Sequence, residues 1–261
     1  MIEETEVTKA IIKTAVEDLL NNLEVDVGIA GAGPAGLTCA YYLAKGGARV
    51  AIFERRLNYG GGMPGGGMLF PRVAVQDAAL DIVKEMKIKI KKFNSRLYTA
   101  DSVEMTTKLA FAAINAGTRI FPAITVEDVL IRENDKVCGL VLNWTAVKMA
   151  GLHVDPLAVK ARFSVDATGH DAEVARVLER KNCAVGFKTD SGKIMGEKSM
   201  WAEVAEKKIV EYTDEAYPGL YLAGMTVCAV YGLPRMGSVF GGMLLSGKKA
   251  AQLILRRLRK R

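Results

Sequence analysis

The chain has 261 residues, half of them hydrophobic, a net charge of +7 and a pI near 9.2. That is enough for one large α/β domain with a sizeable core, and no apolar run approaches the roughly 18 residues of a membrane span. The start, MIEETEVTK, is acidic and polar rather than a secretory leader, and Cys39, Cys138, Cys183 and Cys228 are scattered without a C-x-x-C pair, so a reducing cytoplasm is expected.

Residues 5–23 carry apolar side chains at Val7, Ile11, Ile12, Ala15, Val16, Leu19, Leu20 and Leu23. This is the spacing of an amphipathic helix whose stripe is expected to cover the sheet or a neighbouring subunit. Residues 25–54 then read as strand, turn, helix and strand. An apolar run at 27–30 precedes Gly31-Ala32-Gly33-Pro34-Ala35-Gly36, a helix follows over 34–45, Gly46-Gly47 ends it, and a second apolar run at 50–53 closes on Glu54. In this G-x-G-x-x-G unit Gly31 makes the tight turn, Gly33 lets a pyrophosphate approach the backbone, and Gly36 lets the helix pack on the strand. The helix N-terminus offers free N–H groups to phosphate, and Glu54 is placed to bind ribose hydroxyls. The unit specifies a dinucleotide but not the chemistry done with it.

Residues 60–67, GGGMPGGG, exclude a regular element. Such a backbone, with Gly62 at its centre, closes around a phosphate or ribose or moves as a lid. Helices are predicted at 76–90 and 101–116, the second opened by Asp101 and Glu104 as a capping box and stopped at Gly117. Strand-like runs at 119–121, 124–132 and 137–144 form a meander, with 133–136 as a hairpin turn. An irregular segment at 145–156 leads to an alternating strand at 157–165, then Asp166-Ala167-Thr168-Gly169-His170, and Asp171 is expected to cap a helix to about Arg180. A polar loop at 188–198, a short strand at 219–225 ending in a glycine turn, a glycine-rich loop at 231–240 with Pro234 and Arg235, and a final helix at 241–260 complete the chain. The basic end, RRLRKR at 256–261, reads as a solvated helix terminus favoured by the dipole. No basic stripe interleaves with aromatics, so neither a nucleic acid nor a membrane is an expected partner. The predicted fold is α/β: one dinucleotide-binding domain over 1–261, with a mainly parallel Rossmann-like sheet, helices on both faces, and an antiparallel meander inserted at about 119–144.

The first unit, the strand ending in Ala167-Thr168-Gly169, and the late strand with its following helix resemble the FAD/NAD-linked reductase architecture. In that group the late strand usually ends in Gly-Asp, and the aspartate holds the flavin. Here Met225 follows Gly224, which argues against bound flavin. A narrower resemblance spans nearly the whole chain. It rests on GAGPAG at 31–36, FERR at 53–56, GGGMPGGGM at 60–68, NWTAV at 143–147, HVDP at 153–156, DATGHDAEV at 166–174 and the GLPRMG and GGMLLSGKKAA stretches. Together these resemble thiamine thiazole synthase, the family that builds the thiazole precursor of thiamine from NAD and glycine. The resemblance implies that Ala35, Arg55 and Met225 join Gly31, Gly33, Gly36, Glu54 and Gly62 around NAD, that Val126 meets its adenine end, and that Arg235 grips glycine. It also implies an octameric homo-oligomer. At residue 153 the eukaryotic branch carries a cysteine that surrenders its sulfur. This chain has His153, and so resembles the archaeal branch, which uses free sulfide and Fe(II) and turns over repeatedly. His153 is accordingly placed near the reaction.

The chain has only two histidines, His153 and His170, and both lie near Asp155 in sequence, the donor set of a facial-triad iron site. His153 and Asp155 share a face of an extended backbone, but His170 lies beyond the far end of the next strand. At ~3.3 Å per residue that separation is about 25 Å or more, unless the 145–156 segment folds back. An ion shared between subunits removes the difficulty, and the resemblance implies that arrangement, with Asp155 and His170 as ligands from adjacent protomers. Taken alone, the residues also allow His170 as a hydrogen-bonded histidine beside the nucleotide, Asp155 as a turn residue and Arg235 as a surface ion-pair partner. Two other functions are compatible with the chain: a flavin- or NAD-dependent oxidoreductase, and a non-catalytic nucleotide sensor.

Overall fold

A computed structural model describes residues 2–181 and 186–260, so Cys183 lies outside the described residues. The chain opens with α1 (Glu4–Leu20), β1 (Glu24–Ala30), α2 (Pro34–Lys45), β2 (Val50–Glu54), β3 (Arg72–Gln76), α3 (Leu80–Glu85), β4 (Ile90–Lys92), β5 (Leu97–Asp101) and α4 (Ser102–Asn115). It continues with β6 (Arg119–Pro122), β7 (Ile124–Arg132), β8 (Lys136–Trp144), α5 (Thr145–Met149), β9 (Leu157–Asp166) and α6 (Glu173–Lys181). It closes with α7 (Ala202–Tyr212), β10 (Glu215–Tyr217), β11 (Leu220–Leu222), α8 (Met225–Tyr231) and α9 (Gly241–Leu258).

The main sheet runs β10-β11-β9-β1-β2-β6, and all its neighbours are parallel except β10 with β11. Val27, Ile29, Ala51 and Ile52 are fully buried, as expected of central strands covered on both faces. α2, α4 and α9 pack together on one face. On the other, Leu140 of β8 lies 3.1 Å from where a Cβ on Gly28 would stand, so the β7–β8 ribbon covers β1 there, with α6 against β7. The sheet forks along β9. Residues 164–166 pair with β11, whereas 157–160 turn antiparallel to β8. No helix among the described residues is long and apolar enough to cross a membrane.

Several expectations change. The segment 119–121 is not part of an antiparallel meander: β6 pairs parallel with β2 as the sheet's edge strand, and only β7 and β8 form the hairpin. The helix expected at 76–90 shrinks: a 3₁₀ turn at Asp77–Ala79 leads into α3, and Lys87 turns the chain at φ 54° before β4. β3, β5 and β4 make a small antiparallel sheet of their own. The capping box at α4 is half formed. Asp101 accepts from the N–H groups of Val103 and Glu104, but the Glu104 carboxylate takes the Lys89 N–H instead. Asp171 does not cap α6; the Glu173 N–H donates to Thr168 Oγ1. Two helices, α5 and α7, fall where no helix was read, and α8 follows directly on the late strand. α1 forms as expected, but none of its residues is buried: Ile11, Ile12 and Leu20 are each more than half exposed, so within one chain its stripe does not cover the sheet.

Behind the sheet's C-terminal edge, α7 presents Glu206 to the start of α9. Its Oε2 accepts from Gln76 Nε2 and, at 2.8 Å, from the Gly242 N–H. Glu206 Oε1 and Gln76 Oε1 have no partner among the described residues. Burial pushes this carboxyl up from 4.5 to about 7, against the pull of the Gly242 N–H. A raised folded pKa means stability fully present below pH 4.5 and lost as pH rises through 7. Glu206→Gln removes the charge. The expected result is that the variant gains on wild type by on the order of 3 kcal/mol between pH 4.5 and 8, read from thermal unfolding across that range. Parallel pH profiles for the two proteins would sink the assignment.

Candidate functional site

A cleft of about 600 Å³ opens at the C-terminal ends of β1, β2, β9 and β11, the place where open α/β sheets take ligands. Its floor is the β1–α2 turn. Gly31 adopts φ +96°, and a Cβ there would stand 2.6 Å from the Ala167 carbonyl oxygen. A Cβ on Gly36 would stand 2.1 Å from the Gly31 carbonyl oxygen. Gly33, the N-cap of α2, is the opposite case: nothing lies within 4 Å, and no side chain caps the helix. The turn therefore leaves open backbone where α2 begins, with unpaired N–H groups and the positive end of its dipole.

Glu54 is buried at the end of β2 and lines the cleft. Its Oε2 accepts the Ala32 N–H at 2.8 Å and its Oε1 the Arg56 N–H at 2.9 Å, so it braces the turn, and each oxygen keeps a lone pair for a ribose hydroxyl. The glycine-rich loop docks on the same turn. The Gly60 N–H donates to the Ala32 carbonyl, Arg56 Nη1 donates to the Gly61 carbonyl, and Met63 is buried at a single 3₁₀ turn. Ala35, Gly62, Val126 and Met225 line the cleft. Arg55 crosses to the opposite wall, bonding Glu173 at 2.5 Å and Asp171 at 3.0 Å.

That opposite wall is built by a buried carboxylate. Asp166, at the end of β9, accepts from the Thr168 N–H and hydroxyl and from the Ala175 N–H. This ties the 167–169 turn to α6 and aims His170 into the cleft mouth. His170 Nδ1 lies 2.7 and 2.9 Å from the two oxygens of Glu197. Arg235, from the 231–240 loop, lines the same cleft, with its Nε 3.7 Å from Glu197.

His153 and Asp155 lie elsewhere. Both are exposed and line a second cleft of about 380 Å³ with Glu127, Asn143 and Lys148. Within one chain Asp155 and His170 thus sit in different clefts, and among the described residues no group of three His, Cys, Asp or Glu is placed to hold a metal ion. The donors suit a metal only as a shared set. His170, with Nδ1 turned to a carboxylate, keeps Nε2 for an ion, and Asp155 makes no ion pair or side-chain hydrogen bond among the described residues. Cys39, Cys138 and Cys228 are free thiols and none lines either cleft; burial raises the Cys39 pKa.

The model of the family described as the Thi4 family matches residues 8–240. The chain belongs to the Thi4 family. It is 50% identical over 258 residues to a thiamine thiazole synthase of Methanothermobacter thermautotrophicus, covering 99% of each chain. The crystal structure of Thermovibrio ammonificans THI4 superposes with a TM-score of 0.95 at 45% identity, covering 99% of each chain. A geranylgeranyl bacteriochlorophyll reductase-like protein of Thermoplasma acidophilum, at 16% identity and a TM-score of 0.54 over 90% of this chain and 79% of its own, shares the fold alone. Family membership makes this an enzyme of thiamine thiazole formation.

Reading the sequence of this Thi4-family chain missed the residues that hold the site together. Glu197 lies in a polar loop 27 positions from His170, with no motif to mark it. Asp166 opens the DATGHDAEV motif, but nothing local marks it as the acceptor that ties the turn to α6, and the Arg55 ion pairs span 116 and 118 positions.

The contrast between the two glycines is testable. Gly33→Val is expected to fold with a Tm within a few degrees of wild type and to lose at least tenfold in dinucleotide affinity by calorimetry. Gly36→Val is expected to be unstable, because its side chain meets the Gly31 carbonyl. Full affinity in Gly33→Val would show that the diphosphate lies elsewhere.

Proposed function

We propose that this enzyme makes an adenylated thiazole from NAD, glycine and free sulfide, with Fe(II), and turns over many times. The observation that carries the reading is the single cleft that joins an open α2 N-terminus at one end to His170 and Arg235 at the other. The first feature suits the diphosphate of NAD, and the second suits the reacting end with a carboxylate substrate. Met225 in place of an aspartate after Gly224, and the absence of a cysteine at residue 153, favour this over a flavin enzyme or a protein that gives up its own sulfur.

The turn at 31–36, with Glu54 and the Gly62 loop, holds the ADP half, while Ile124 and Val126 give the adenine an apolar wall. NAD is consumed. Water replaces its nicotinamide, a good leaving group, at the anomeric carbon of the ribose, and the resulting hemiacetal opens and isomerises to a ketone. Glycine condenses with that carbonyl as an imine, held by a two-point contact between its carboxylate and the Arg235 guanidinium. Sulfide adds, and the ring closes with loss of water. Fe(II), held by His170 of one copy and Asp155 of another, would acidify and orient sulfide. His153, beside Asp155, would then stand next to that chemistry.

Incubating the protein anaerobically with NAD, glycine, sulfide and Fe(II) is expected to give more than one equivalent of adenylated thiazole by mass spectrometry, with the protein mass unchanged. Less than one equivalent, with a sulfur atom lost from the protein, would point to a cysteine donor. Intact NAD would return the question to an oxidoreductase.

The shared-ion arrangement requires an assembly, and the octamer implied by the family supplies one. α1, with an apolar stripe that its own chain leaves uncovered, supports an interface between copies. Light scattering is expected to report a mass near eight chains of 28.2 kDa. A monomer would contradict both the assembly and the shared ion.

A further inference from the structure

Glu197 belongs to no motif, yet its loop is held as firmly as a strand. The N–H groups of Met195 and Gly196 donate to the carbonyls of Val230 and Ala229. The Lys198 N–H donates to the Leu233 carbonyl, and the Arg235 N–H returns to Lys198. These four bonds clamp residues 195–198 onto α8 and the loop that carries Arg235. The Glu197 side chain is only 15% exposed, whereas those of His170 and Arg235 are 49% and 53% exposed. Among the described residues it is the one side-chain partner of each: 2.7 Å from His170 Nδ1 and 3.7 Å from Arg235 Nε.

Two side chains on separate loops, each half in solvent, would otherwise sample many rotamers, at a cost in entropy whenever a ligand ordered them. A carboxylate at Nδ1 selects the tautomer that leaves the Nε2 lone pair free, and it orients the ring. The same carboxylate beside Nε leaves the terminal nitrogens of the guanidinium for an incoming carboxylate. We infer that Glu197 is a positioning residue that orders His170 and Arg235 together, setting the metal-binding nitrogen and the glycine-binding guanidinium from one largely buried anchor. The inference rests on the reading of His170 as an iron ligand and Arg235 as the glycine clamp.

The two roles separate by substitution. Glutamine keeps an acceptor oxygen for His170 but not the charge beside Arg235; alanine keeps neither. In anaerobic equilibrium dialysis with Fe(II), and in Co(II) absorption spectra, Glu197→Ala is expected to bind metal about 10–100-fold more weakly than wild type. Glu197→Gln is expected to bind within about threefold of wild type, and to show a glycine KM raised roughly tenfold with kcat held. A merely structural role would instead lower Tm and leave metal affinity and glycine KM unsplit. His170→Ala distinguishes the failures. If it loses the metal while Glu197→Ala keeps it, the positioning role alone is overturned. If His170→Ala binds metal as tightly as wild type, the iron reading falls and takes the inference with it. If Glu197→Ala does not fold, Glu197→Gln decides: an unchanged glycine KM overturns the link to Arg235.

Discussion

The site depends on one close approach of backbone to backbone. Gly31, at the end of β1, passes so near the Ala167 carbonyl at the end of β9 that a methyl group does not fit between them, and Gly36 presses equally on Gly31. The Ala167 N–H donates to the Ala30 carbonyl across the same gap, so the two strand ends are joined as well as crowded. This brings the start of α2 and the turn carrying His170 to opposite walls of one cleft. Any widening there would move the open N-terminus of α2 away from His170 on the facing wall.

Three carboxylates, two of them buried, brace the cleft around that approach. Glu54 braces the β1–α2 turn through Ala32, and Asp166 braces the 167–169 turn through Thr168 and Ala175. Glu197 spans the mouth between His170 and Arg235. Burial opposes ionisation of Asp166, and the donors around it favour the charged form. Each carboxylate closes a different sequence gap, so the cleft is shaped by long-range polar contacts on a hydrophobic frame. The frame itself is ordinary: two parallel central strands buried on both faces, with helices on one side and a ribbon on the other.

The two clefts of one chain divide the chemistry. His170 and Arg235 share the cleft with the nucleotide turn, while His153 and Asp155 stand together in the other, exposed and with no ion-pair partner among the described residues. On the proposed reading of Asp155 and His170 as metal donors, their placement in separate clefts favours an assembly in which one copy's second cleft meets its neighbour's first. The uncovered stripe of α1 is consistent with that, since an amphipathic helix with no buried residue in its own chain has its apolar area still to cover.

By itself the sequence determined the β1–α2–β2 unit with its glycine turn and terminal acid, because these parts are contiguous and each obeys a local rule. α2 spans the predicted residues, and the glycines at 31, 33 and 36 take three separate roles. The signature stretches also carried the family. Tertiary structure alone decided the rest. α3 is short because Lys87 turns the chain into β4, which finds its partner in β5, a pairing with no local signal. β6 joined the parallel sheet rather than the hairpin because its partner, β2, lies more than sixty residues earlier in the chain. Asp171 pairs with Arg55 rather than capping α6, and Glu197 meets His170, because folding brings distant loops to one edge of the sheet. Local propensity and periodicity act over a few residues, whereas the charges that order this site are matched across 27 to 118 positions, where only the packed chain sets the distance.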